Sequence, residues 1–199
     1  MQREKGPPVT DEDNQQRFMA MALPHLDAAY NLARWLTRND HDAEDVVQDA
    51  FLRAMRHFGS FRGDMVRPWL LQIVRHTCYS WLHENRPADV IALDDSDKSW
   101  HENAAPANDE PPVAAQRKAD RAQINQAIAQ LPIAFREVFV LRELEDLSYK
   151  DIARIADLPI GTVMSRLSRA RALMQQALAP AARPALRSMA RNVLGGEPS

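Results

Sequence analysis

Between Asp42 and Phe58 apolar side chains return every three or four residues, as Val46, Val47, Ala50, Phe51, Ala54, Met55 and Phe58. That spacing draws one broad stripe along a helix of about 3.6 residues per turn, and a strand has no use for it. The period recurs along the chain. From about Asp11 to Leu36 it runs through Phe18, Met21, Ala22, Leu26, Ala29, Leu32 and Ala33. Asp42 with Asp45 resembles a capping box for the next helix, and Gly59 and Gly63 mark a loop after it. Pro68 fits the first turn of a further helix carrying Trp69, Leu70, Ile73, Val74, Thr77 and Trp81 to about Asn85. Alternation at period two never persists over a useful length. The chain therefore reads as all-α.

A composition shift then splits it. Residues 87–114 form a linker in which Asp89, Asp94, Asp95, Asp97, Glu102, Asp109 and Glu110 face a single lysine, Lys98, among prolines and small residues. Such a segment buries little and reads as an acidic, extended tether, although Ile91, Leu93 and Trp100 hint at a docked portion. Beyond it, helices are expected from about Ala115 to Gln130 and from Ile133 to Glu143, separated by Leu131-Pro132. With 199 residues and no internal repeat, two small helical domains joined by the linker account for the pattern.

Several function classes drop out on inspection. Met1 to Pro8 has no apolar core of signal-peptide length, and nowhere do roughly 18 apolar residues run together, so a cytoplasmic protein without membrane insertion is expected. Cys78 is the sole cysteine, which removes intrachain disulfides and cysteine-based zinc modules. His76, Cys78 and His83 lack any established ligand spacing, so no metal is expected. The chain shows no HExxH, no Gly-rich phosphate loop and no Ser, His and Asp set in recognisable context, which argues against an enzyme and against a cofactor.

Charge carries more information than its sum. The chain holds 25 Lys+Arg against 27 Asp+Glu, yet after Asp157 the next acid is Glu197, and between them lie Arg166, Arg169, Arg171, Arg183, Arg187 and Arg191. One-signed sorting in a two-signed protein points to an anionic partner for this part. Just before it, Ser148 and Asp151 make a capping box for a short helix bearing Ile152, Ile155 and Ala156. Pro159 ends that helix, and Gly161 with Thr162 offers a start for the next. There Val163, Leu167, Ala170 and Met174 form the buried stripe, while Thr162, Ser165, Arg166 and Arg169 share another face. Hydroxyls and arginines without a carboxylate enter a major groove without repelling phosphates, so the pair reads as a helix-turn-helix.

The assembled residues resemble a known family. LSYKDIARIADLPIGTVMSRLSRARALM is similar to region four of extracytoplasmic-function (ECF) sigma factors, and HDAEDVVQDAFLRAMRHFGSFRGDMVRPWLLQIVRHTCYSWL to their region two. Both occur in the family's order. The implied domains are a flexible N-terminus at 1–14, region two at 15–86, the linker at 87–114, region four at 115–178 and a tail at 179–199. The resemblance implies a dissociable initiation subunit that binds core RNA polymerase, directs it to promoters and helps melt them.

Carried over by position, Asp42, Glu44, Asp45, Gln48 and Asp49 would dock on the clamp helices of the largest polymerase subunit. Minus-ten DNA, single-stranded, would meet Phe61, Arg62, Gly63, Asp64, Arg67, Arg75 and His76, the loop at 58–64 capturing a flipped base. Phe61, Arg62, Arg67, Trp69 and Arg75 offer the aromatic faces and cations that suit single strands, although Trp69 at helical spacing reads first as core. Duplex minus-thirty-five DNA would meet Thr162, Met164, Ser165, Arg166, Ser168, Arg169 and Arg171, with Arg166 and Arg171 on phosphates. Residues 135–144 would touch the flap of the second-largest subunit. The acidic linker would thread the polymerase cleft, mimicking nucleic acid.

The sequence departs from the family's usual Arg-Asn at Arg75-His76, its Asp at Ser80 and its basic cluster at His83-Glu84-Asn85-Arg86. Met164 also replaces a frequent basic residue, and an apolar contact with a thymine methyl would substitute there. The resemblance further implies an anti-sigma partner. Two other readings share the helix-turn-helix: a regulator that never replaces a polymerase subunit, and a sigma mimic that titrates an anti-sigma protein. The tail with Arg183, Arg187 and Arg191 reads first as a frayed basic terminus and otherwise as a nucleic-acid or partner contact.

Overall fold

A computed structural model describes residues 11–63, 65–86 and 113–179, the side chains of residues 11 and 113–119 excepted. No strand occurs among them. Helix α1 (Asp11–Ala22) and helix α2 (Leu26–Thr37) divide what the periodicity presents as one run from Asp11 to Leu36, because a tight 3-10 turn, Leu23–His25, intervenes. Pro24 sits in that turn, where its missing N–H and its ring disfavour an unbroken α-helix. Helix α1 thus begins inside the segment expected to be flexible.

Arg38 ends α2 in the left-handed region, at φ 59°, and its N–H bonds Arg34 O at 2.9 Å. Helix α3 (Asp40–His57) starts directly afterwards. Its cap is Asn39, whose Oδ1 accepts from the Asp42 N–H at 3.1 Å, so the Asp42–Asp45 box expected from sequence lies inside a helix already begun. Helix α4 (Val66–Asn85) opens two residues before Pro68, which occupies the first turn, where an N–H has no intrahelical acceptor to lose.

The distal lobe comprises α5 (Val113–Gln130), α6 (Ile133–Phe139) continued by a π-type turn at Val140–Leu144, α7 (Tyr149–Ala156) and α8 (Ile160–Leu178). Ser148 caps α7, its Oγ accepting from the Asp151 N–H at 3.1 Å while its hydroxyl donates to Asp151 Oδ2 at 2.6 Å. Asp157 closes α7 at φ 55°. Pro159, two residues before the expected start at Gly161, caps α8: its carbonyl accepts from the N–H groups of Thr162 at 2.9 Å and Val163 at 3.1 Å, so Gly161 and Thr162 are already helical.

Two cores form. Under α1, Phe18, Ala22, Ala54, Phe58 and Leu70 make a small aromatic-centred one. The larger core is continuous across both lobes, from Leu32, Leu36, Val46, Val47, Leu71 and Val74 to Ile128, Leu141, Ile152, Ile155, Val163 and Leu167. Helix α4 packs on α7 and α2 on α6, so the lobes meet face to face. The linker residues 87–112, with Ile91, Leu93 and Trp100, and the tail residues 180–199, with its three arginines, lie outside the described residues.

Candidate functional site

Helix α3 buries Ala43, Val46, Val47, Ala50 and Ala54, which turns Glu44, Asp45 and Gln48 outward as an exposed acidic surface beside the exposed Leu52. Asp49 is half-buried and pairs with Arg53 one turn on, at 2.7 Å. Asp42 is drawn inward. Its carboxylate meets Arg86 Nη2 at 3.4 Å, and Arg86 also donates to Thr37 O at 3.1 Å while its guanidinium lies over the Trp81 ring. Asp42 therefore ties the end of α4 to the start of α3.

The loop after α3 is organised by aromatic packing. Phe61 stacks on Phe58 with centroids 6.0 Å apart and meets Trp69 at 4.8 Å. Both Phe61 and Trp69 are half-buried against the small core, which makes each part core and part surface. Arg62 folds back, donating to Gly59 O at 2.7 Å and to Phe61 O at 3.1 Å. Gly63 and His76 are exposed, and Asp64 lies outside the described residues. At Gly63 an added Cβ would come within 3.2 Å of the Phe61 ring, so a side chain there would press on that aromatic.

Arg67 and Arg75 do not face solvent as a pair. Arg67 Nη2 donates to Glu145 Oε2 at 2.7 Å, and Arg75 Nε donates to Glu137 Oε1, both carboxylates belonging to the distal lobe. Tyr79 Oη donates to Glu137 Oε2 at 3.0 Å with the Arg75 guanidinium over its ring, and Asn31 Nδ2 donates to Glu145 Oε1 at 2.6 Å. Burial works against the Arg75 charge, but the charge and hydrogen bond of Glu137 outweigh it and hold that pKa up. Burial and then the Glu137 charge push the Tyr79 hydroxyl up as well, so it stays a donor.

Sequence reading missed Glu137 and Glu145. A signal existed for the first, because Glu137 stands four residues after Ile133 and four before Leu141, on the buried register of its own helix, and a carboxylate there requires a partner. Glu145 carried none, since the π-type turn that aims it inward shifts the helical register.

On α8 the buried stripe is Val163, Leu167, Ala170 and Met174, as the spacing requires. Met164, Ser165, Ser168 and Arg169 are exposed, with Met164 at 53%. The helix carries no carboxylate. Thr162 is half-buried, and its carbonyl accepts from the Ser165 hydroxyl at 3.0 Å. Arg171 is exposed and bonds Glu143 Oε1 through Nη2 at 2.6 Å and Nε at 3.0 Å. Arg166 is half-buried, its Nε buried with no hydrogen-bond partner. The seven residues singled out on α8 thus share one helix but divide between an exposed outer face and the half-buried Thr162 and Arg166.

An acid-faced helical bundle followed by a capped helix-turn-helix with a carboxylate-free second helix is the architecture of a bacterial sigma factor. Family models described as Sigma-70 region 2 and Sigma-70, region 4 match residues 21–87 and 121–174. The RNA polymerase sigma-H factor of Pseudomonas aeruginosa is 34% identical over 176 residues, covering 86% of this chain and 91% of that protein. The ECF RNA polymerase sigma-E factor of Escherichia coli K12 is 36% identical over 148 residues, 70% of this chain and 75% of that protein. The chain belongs to the ECF family of RNA polymerase sigma factors.

Solved structures agree on the fold. The sigma factor RpoE in complex with the anti-sigma factor NepR, from Bartonella quintana, superposes with a TM-score of 0.63 at 28% identity, over 83% of this chain and 99% of that one. CnrH in complex with the cytosolic domain of CnrY gives 0.60 at 24% identity, over 86% and 94%.

Proposed function

We propose that this sigma factor docks on core polymerase through the outer face of α3, with Glu44, Asp45 and Gln48 at the centre and Asp49 and Asp42 at the edge. The observation that carries the reading is charge sorted by helix face: carboxylates outward on α3 of the proximal lobe, none on α8 of the distal lobe. Acidic α3 suits a basic protein groove, and α8 suits phosphate-flanked major groove. Met164, Ser165, Ser168 and Arg169 read the minus-thirty-five bases, with Thr162, Arg166 and Arg171 at the margins.

At the minus-ten element, Phe61 and Trp69 provide ring surface at the loop, and Arg62, Gly63, Asp64, Arg67, Arg75 and His76 line the path of the nontemplate strand. The sigma factor RpoE of Bartonella quintana was captured with the anti-sigma factor NepR, which supports an anti-sigma protein as a partner here. No described helix is long and apolar enough to cross a membrane.

Transcription in vitro tests the reading. Purified protein is added to sigma-free core polymerase on sheared genomic DNA of the source organism, and RNA five-prime ends are sequenced. Discrete starts sharing two upstream motifs are expected. No starts, together with no core binding by gel filtration, would overturn it in favour of a regulator that works without polymerase.

A further inference from the structure

Two of the three arginines assigned to the minus-ten strand, Arg67 and Arg75, are already occupied, and by carboxylates from the other lobe. Glu137 has a side chain with no exposed surface and takes Arg75 and Tyr79 together; Glu145, at 9%, takes Arg67 and Asn31. Gln72 Nε2 adds a bond to Arg154 O at 3.2 Å, and the charge of Arg166 on the reading helix acts on Tyr79 of the proximal lobe, its Nε buried without a hydrogen-bond partner. A carboxylate and a phosphate offer a guanidinium the same pair of anionic oxygens, so each arginine serves one or the other. Geometry adds a second restriction. Elements centred 10 and 35 base pairs upstream lie roughly 85 Å apart along B-DNA at about 3.4 Å per base pair. Lobes that share one continuous core cannot reach both.

We propose that Glu137 and Glu145 act as built-in phosphate surrogates that latch Arg75 and Arg67 and hold the two lobes closed, so that the free chain restrains its own access to promoter DNA. The inference rests on the assignment of Arg67 and Arg75 to the minus-ten strand. Opening exchanges the carboxylates for nucleic acid, and polymerase contacts that spread the lobes drive the exchange. Because the apparent affinity of a closed protein is reduced by its open fraction, weakening the latch raises affinity without adding a contact.

The test uses the full chain with Glu145→Gln, Glu137→Gln and both together. Fluorescence anisotropy with a single-stranded minus-ten oligonucleotide, its sequence taken from the mapped starts, reads binding. Energy transfer between dyes at Arg56→Cys and Gln176→Cys reads lobe separation, the buried Cys78 staying unlabelled. We expect the double variant to bind at least about tenfold more tightly, the equivalent of one lost charged hydrogen bond, with lower transfer efficiency. A second protein guards against misfolding of the Glu137 variant: Gln72→Cys with Arg154→Cys, bridged by a short bismaleimide, should bind the oligonucleotide more weakly than its unbridged form. Unchanged affinity in the variants and in the bridged protein would overturn the latch, and so would tighter binding without a change in transfer. Wild-type transcription with core polymerase is run alongside, so failure of the sigma assignment shows as missing starts and failure of the latch as normal starts from an unlatched chain.

Discussion

Arg136 of α6 donates from Nη1 to the Trp35 carbonyl of α2 at 2.9 Å, joining residues 101 positions apart, while its Nε and Nη2 both donate to Leu131 O at 3.2 and 2.9 Å. Arg136, 5% exposed, here ties the turn before α6 to the opposite lobe. Arg136→Met leaves two buried carbonyls short of donors and is expected to cost about 2–4 kcal/mol. Urea unfolding followed by circular dichroism measures it. Arg136→Lys should recover only part, because an ammonium lacks the planar fork that spans both acceptors.

The small aromatic core sets the shape of the loop after α3. Phe58 is 4% exposed and contacts Phe18 at 5.5 Å, Phe61 at 6.0 Å and Trp69 at 6.2 Å between ring centroids. Phe58→Ala should cost about 3–5 kcal/mol through cavity formation. Phe61→Ala, at a half-buried ring, should cost distinctly less, yet under the minus-ten assignment it should reduce open-complex formation more. Permanganate footprinting of melted thymines separates the two effects.

Much of this architecture was legible because it is local. The α8 stripe of Val163, Leu167, Ala170 and Met174 follows from a repeat of three and four, and the Ser148 cap from one hydroxyl placed three residues before Asp151. Helix entry points proved less legible. Asn39 outcompeted Asp42 as a cap because the left-handed Arg38 delivers the chain to it, and Pro24 broke a run whose apolar period continued on both sides. The pairing of Arg67 with Glu145 and of Arg75 with Glu137 spans 78 and 62 residues, beyond the reach of any local period. Arginines spaced for a nucleic acid and arginines spaced for a second lobe look the same along the chain.

Cys78 has no exposed surface, and burial followed by the nearby Glu137 charge pushes its thiol up. The thiolate is the reactive form, so the native protein should react with Ellman's reagent at pH 8 far more slowly than a free thiol. Full reactivity should return in denaturing urea. A fast native reaction would mean that α4 opens readily.

His25 titrates below its ordinary value, first because it is partly buried and then because Arg67 lies near. A lowered folded pKa means that the unfolded chain binds the extra proton more readily, so acid favours unfolding. The penalty is absent well above about pH 6.5, grows as pH falls through that value and levels off below the folded pKa. Urea midpoints should therefore fall between pH 7.5 and 5.5, and His25→Gln should shrink the fall.

The outer face of α8 offers the sharpest separation of stability from recognition. Ser165 and Arg169 are exposed, so alanine at either should change stability by no more than about 0.5 kcal/mol. A lost base contact is worth about 1–3 kcal/mol, so transcription from promoters bearing the minus-thirty-five motif should fall roughly 5- to 150-fold for Arg169→Ala. Arg171 is paired with Glu143, and that pair must be given up before it meets a phosphate. Glu143→Gln should leave stability within about 1 kcal/mol, as an exposed pair allows, and should tighten binding to all duplexes alike. Run-off transcription on matched templates with and without the motif distinguishes base reading at Arg169 from uniform charge at Arg171, and equal losses on both templates for Arg169→Ala would place that arginine on the backbone.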